Sequence, residues 1–155
     1  MSPLDFKKEE KRFYLPPAHP VLADVPEMNF FMVDGEGDPN EPEGAYQHAV
    51  ELLYALSYAV RMGGKKRTFP VPGYREYVVP PLEGLWWGCE PEAPVSKKDF
   101  RWISMIRQPG FVTQETLAYA QEQVAMKKPH LLKRLRLRIC KNAPDRAWTV
   151  RDAEI

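Results

Sequence analysis

The sequence predicts an α+β domain with two helices packed on one face of a largely antiparallel sheet. Three observations predict it. Short apolar or alternating runs bounded by proline and glycine read as strands, two longer stretches carry helical spacing, and their order is strand, helix, strand, strand, helix, strand. The chain has 155 residues, 44% hydrophobic and 28% charged, which is a one-domain length with an ordinary globular composition.

Residues 1–27 are charged and then rich in proline (Pro16, Pro17, Pro20, Pro26), so they read as an extended lead-in lying on the domain. Met28-Asn29-Phe30-Phe31-Met32-Val33 is a nearly continuous apolar run, as expected of a strand covered on both sides. The acidic loop Asp34-Gly35-Glu36-Gly37-Asp38-Pro39-Asn40 follows. It is not a calcium loop, because Pro39 and Ala45 stand where a glycine and a glutamate are required. Asn40, Glu41 and Glu43 are instead placed to cap the next helix and to complement its dipole.

That helix is predicted from about Pro42 to Arg61. Ala49, Leu52, Leu53, Leu56 and Val60 form its core face, and Tyr46, Val50, Tyr54 and Tyr58 step by four along a neighbouring face. Gly63-Gly64-Lys65-Lys66 is the expected stop. Tyr74–Val79 and Leu82–Gly88 read as one strand bent at Pro80-Pro81, and Phe100–Arg107 as another. Thr113 is the N-cap of a second helix running through about Met126, with Val112 and Leu117 placed to staple its start. Leu135, Leu137 and Ile139 alternate with Arg134, Arg136 and Arg138 in a last strand. The expected organisation is a lead-in over 1–27, a folded domain over 28–141 and a tail over 142–155.

Composition narrows the function. A net charge of +1 argues against a dedicated nucleic-acid binder. The basic stretch 127–141 holds seven Lys or Arg and no acid. It reads as a solvated sheet edge, with an interaction module as the alternative. Nothing has the length of a membrane span or the core of a signal sequence. Two cysteines outside any CxxC pair fit a reducing, cytoplasmic location. His19, His48 and His130 are far apart in sequence and show no metal-ligand spacing, so neither a metal nor a cofactor is expected. Cys89 is a weak candidate nucleophile, since nothing near it in sequence would lower a thiol pKa.

The most informative stretch is Pro80-Pro81-Leu82-Glu83-Gly84-Leu85-Trp86-Trp87. Strand alternation puts Leu82, Gly84 and Trp86 on one face and Glu83, Leu85 and Trp87 on the other. An ionised carboxylate among apolar groups is costly, so Glu83 must raise its pKa, find a cation, or face a cavity. Indole faces beside one carboxylate suit a flat, lipophilic, often cationic small molecule. The competing reading is a tryptophan-rich core strand whose glutamate reaches solvent or pairs with an arginine.

Four stretches together resemble the GyrI-like small-molecule-binding family. They are Val25-Pro26-Glu27-Met28-Asn29-Phe30, the loop Asp34–Asn40, Pro80–Trp87, and Trp102–Pro109 followed by Phe111-Val112-Thr113. The resemblance spans roughly Leu4 to Met126 and implies a strand-helix-strand-strand module, usually present twice about a pseudo-twofold axis. Related domains bind lipophilic cations over a buried glutamate flanked by aromatics. Some stand-alone members are similar to hydrolases that open the cyclopropane ring of alkylating cyclohexadienones. Only Leu131–Cys140 is left to begin a second module, Lys141–Ile155 does not match one, and the sequence shows no DNA-binding helix-turn-helix region. Glu83 corresponds to the family's acid as its pseudo-symmetric equivalent in the first module.

The sequence reading is therefore binding of planar, lipophilic small molecules in the manner of multidrug-binding domains. Glu83 supplies charge, Leu85, Trp86, Trp87 and Trp102 the apolar and aromatic surface, and Tyr54 and Tyr58 polar contacts. The alternative is a small-molecule hydrolase with Glu83 as the candidate catalytic group. A homodimer could supply a missing half-pocket through an isologous contact.

Overall fold

The computed structural model describes residues 2–88 and 96–132, and residues 136–141 by their backbone. Cys89, the tail over 142–155 and the arginine side chains of the last strand lie outside the described residues. Four strands form one sheet: β1 (Asn29–Glu36), β2 (Leu82–Trp87), β3 (Arg101–Gln108) and β4 (Arg136–Lys141). Their spatial order is β2-β3-β1-β4, and every neighbouring pair is antiparallel. The class expected from sequence, α+β with an antiparallel sheet, is the one observed.

Counting in chain order, two one-turn helices come first, α1 (Phe6–Glu9) and α2 (Lys11–Tyr14), then α3 (Ala45–Lys66) and α4 (Gln114–Lys127). Helices α3 and α4 cover one sheet face. There Phe31, Val33, Trp102 and Ile106 pack with Leu52, Leu56 and Leu117 in the main core. The opposite face carries a smaller cluster of Met28, Phe30, Met32 and Met105, with Phe13 and Val25 of the lead-in against it. Among the described residues, no helix is long and apolar enough to cross a membrane.

The lead-in is not uniformly extended. Asp5 caps α1 by accepting from the Lys7 backbone N–H at 3.1 Å. Leu4 ties the segment down through bonds to the Glu76 carbonyl at 2.9 Å and from the Val78 amide at 2.8 Å. Local capping plus burial of Phe6 offsets the weak intrinsic stability of a single turn.

Helix α3 starts later and ends later than its sequence suggests. Its N-cap is Gly44, with no side-chain cap, and Gln47 instead reaches back to accept from the Glu43 amide at 3.1 Å. The helix runs through Gly63-Gly64 and stops at Arg67, which is left-handed at φ 54°. A Cβ on Gly63 would lie 2.2 Å from the Phe69 ring, and one on Gly64 2.2 Å from the Tyr74 ring. The glycines serve packing, and the aromatic burial they allow outweighs a propensity cost of about 1 kcal/mol each. Tyr74–Val79 forms no ladder, only an isolated bridge between Tyr77 and Leu4. Tyr77 is spent on the interior, with its hydroxyl bonded to the Ser57 carbonyl at 3.3 Å. Helix α4 starts as expected: Thr113 and Thr116 exchange side-chain to backbone bonds at 3.3 and 3.2 Å, while Val112 and Leu117 enter the core.

Gly35 pairs with Trp102 across β1 and β3, and the indole lies over it, leaving only 2.2 Å to a Cβ built there. Gly35→Ala must therefore displace a fully buried tryptophan and should destabilise the fold by about 2–3 kcal/mol. Gly110→Ala, with open space around it, should stay within about 0.5 kcal/mol of the parent. Urea denaturation of both variants measures the difference, and equal midpoints would refute the packing assignment.

Candidate active site

The β2–β3 register sorts the predicted site residues onto two faces. Glu83, Leu85 and Trp87 stand opposite Met105, Ile103 and Arg101 and face away from α3 and α4. Trp86 pairs with Trp102 on the helix-covered face, where both rings contact Tyr46 at centroid distances of 5.0 and 5.2 Å. Trp102 is fully buried. The aromatic surface expected beside the carboxylate is thus split, and only Leu85 and Trp87 share its face. Gly84 opens no cavity, because the Trp86 Nε1 folds back to 2.8 Å from where its Cβ would be. Tyr54 and Tyr58 are exposed on α3, across the sheet from Glu83. Pleat alternation forces this division, since neighbouring residues of a strand cannot share a face.

Residues that the sequence reading did not select complete the Glu83 side. Arg107 lies on β3 two residues beyond Met105, the cross-strand partner of Glu83, and so on the same face. It is only 8% exposed. Its guanidinium binds Glu10 through both nitrogens, at 2.6 and 3.1 Å. It also donates to the Tyr14 hydroxyl at 3.4 Å and stacks over the Phe6 ring at 3.8 Å. Phe6, Glu10 and Tyr14 recur every four residues, with Glu10 at the non-helical joint between α1 and α2. That spacing, together with an arginine ending the Ile103-Met105 stripe, is the signal in the sequence that marks them.

The electrostatics follow from burial. Burial works against the charge of Arg107, but its hydrogen bonds to Glu10 and Tyr14 outweigh this and hold its pKa above the ordinary value. Tyr14 is pushed up to about 12, by burial first, with the hydrogen bond from Arg107 opposing and the Glu83 charge adding. Glu83 is partly exposed on an edge strand, yet loss of hydration drives its carboxyl up to about 7, with the Arg107 charge pulling weakly the other way. Among the described residues Glu83 has no ion pair within bonding distance. A carboxyl balanced between its two protonation states near neutral pH can give or accept a proton.

A cleft of about 570 Å³ opens beside this cluster, lined by Phe6, Met28, Asn29, Arg107, Gln108 and the start of α4. His48 and His130, distant in sequence, come together with ring centroids 6.4 Å apart. Even so, no group of three metal-binding side chains occurs among the described residues.

Solved structures from Listeria innocua match this chain. A hydrolase shares 45% identity at a TM-score of 0.75, over 89% of this chain and 66% of its own. A second structure, also a hydrolase, shares 44% at 0.77 over 90% and 67%. A third, described as an uncharacterized conserved protein, shares 45% at 0.77 over 89% and 67%. The chain belongs to the same family as these Listeria proteins. It spans about two thirds of their length. No protein-family model and no curated protein matches it.

The raised carboxyl carries a stability signature. A folded pKa of about 7 lies above the ordinary value of 4.5, so folding takes up a proton between these values. The contribution of Glu83 to stability is fully present below about pH 4.5 and is lost as pH rises through 7. Glu83→Gln, which cannot ionise, should match the wild type at pH 4 and exceed it by about 2–3 kcal/mol at pH 8. Urea unfolding across that range tests this, and a pH-independent difference between the two proteins would show that Glu83 is normally hydrated.

Proposed function

We propose that the protein is a small-molecule hydrolase of the GyrI-like kind, in which Glu83 exchanges the proton. One observation carries the reading: a carboxyl raised to about 7 stands on a sheet face beside Leu85 and Trp87, with the nearest described cation engaged elsewhere. Perturbed carboxyls of this sort concentrate at functional sites. The description of two relatives as hydrolases at 44–45% identity supports turnover ahead of binding alone, although the sequence by itself favours binding.

In the ionised form Glu83 takes a proton from water as the water oxygen bonds to the electrophilic carbon. The bond from that carbon to the leaving atom breaks, and the protonated carboxyl returns the proton to that atom. Leu85 and the half-exposed Trp87 offer apolar and π contact to a flat substrate. The family resemblance points to cyclohexadienones fused to a cyclopropane. There water adds to a ring carbon and the strained C–C bond breaks. Its electron pair passes through the dienone to the carbonyl oxygen, which is protonated to a phenol.

The test incubates such a compound with substoichiometric protein and follows loss of the dienone chromophore. The expected result is many turnovers per protein, with kcat/KM falling at least about 100-fold in Glu83→Gln. Loss limited to one equivalent, or unaffected by the substitution, would overturn the assignment and leave a binding protein.

A further inference from the structure

We propose that Glu10 is a positioning residue: it holds the Arg107 guanidinium on the N-terminal segment and so keeps that cation from forming an ion pair with Glu83. This rests on the reading of Glu83 as the proton-exchanging group. Glu83 faces Met105 across β2 and β3, and Arg107 is the next residue of β3 on that face. Such diagonal neighbours lie roughly 7–8 Å apart at Cα, within reach of long side chains. An arginine and a carboxylate so placed on a partly dry surface ordinarily close on each other, because paired charge-assisted hydrogen bonds are strong.

Here the contacts of the guanidinium go the other way. Glu10 takes two nitrogens, at 2.6 and 3.1 Å, Tyr14 accepts a third bond, and Phe6 stacks on the cation. Those three residues form one face of the lead-in, which is itself anchored through Leu4 to the backbone at Glu76 and Val78. Among the described residues, the charged or titratable groups on this side are Arg107 and, further along, Arg101 from β3, with Tyr14 and Glu10 from the lead-in. β1 contributes Phe30 and Met32 opposite Arg107 and Met105, and Asp34 lies further along, opposite Ile103. Arg101 shares this face but stands four residues from Met105, so Arg107 is the described cation whose charge acts on Glu83, and Glu10 competes for it. Glu10 acts on the chemistry through Arg107 and need not touch substrate.

The experiment titrates the Glu83 carboxyl directly, by carbon NMR of glutamate-labelled protein, with Glu83→Gln assigning the resonance. Glu10→Gln releases Arg107, and the Glu83 midpoint should fall by at least about one pH unit, a tenfold loss of proton affinity. Adding Arg107→Met to Glu10→Gln should return the midpoint to the parent value or above. An unchanged midpoint in Glu10→Gln overturns the proposal. So does a low midpoint that persists in the double variant, because simple loosening and rehydration of the segment would produce it. The readout needs no turnover, so absence of hydrolysis would defeat the functional reading while leaving this inference to be judged by the titration. If turnover is present, the limb of its pH profile set by Glu83 should move in Glu10→Gln by the same amount as the NMR midpoint.

Discussion

Strand β3 lies between β1 and β2, and the pleat of this one strand organises both sides of the molecule. Trp102, Ser104 and Ile106 point to α3 and α4, while Ile103, Met105 and Arg107 point to the lead-in. A slip of one residue would exchange the two sets. It would drive Arg107 into the main core and strand Trp102 on the other surface. The large indole against Gly35 makes that exchange prohibitive, so the helix-side packing fixes the register on which the polar side depends.

The two faces answer burial differently. On the helix side, aromatic rings fill the space that glycines leave: Trp102 on Gly35, Trp86 on Gly84, Phe69 on Gly63 and Tyr74 on Gly64. On the other side, ionisable groups are packed among methionines and phenylalanines. Removing Arg107 and Glu10 from water is expensive, and their paired bonds at 2.6 and 3.1 Å serve chiefly to keep that cost from being fatal. Glu83 receives no comparable compensation among the described residues, and its raised pKa is the consequence. A fold optimised only for stability would place a neutral or apolar residue there. On the proposed hydrolase reading, this destabilising carboxyl is the group that exchanges the proton.

The lead-in links these two themes. Its four-residue spacing of Phe6, Glu10 and Tyr14 delivers a ring, a carboxylate and a phenol to a single guanidinium. Phe13 and Val25 meanwhile cover the methionine cluster. The segment thus caps an apolar sheet face that would otherwise be exposed, and it binds the guanidinium whose charge acts on Glu83.

The sequence by itself determined the class, the strand order along the chain, the start of α4 at Thr113 and the alternation that puts Glu83, Leu85 and Trp87 together. These follow from local periodicity and capping chemistry, which act over a few residues. Tertiary structure alone decided the rest. Pairing register put Trp102 on the face opposite Glu83, where alternation within β2 already places Trp86. Helix α3 ran through two glycines because rings from residues 69 and 74 fill their space. Glu10 and Arg107, 97 residues apart in sequence, met only because the lead-in folds over the sheet. The one charge pairing that bears most directly on Glu83 is therefore a long-range contact, which no local pattern specifies.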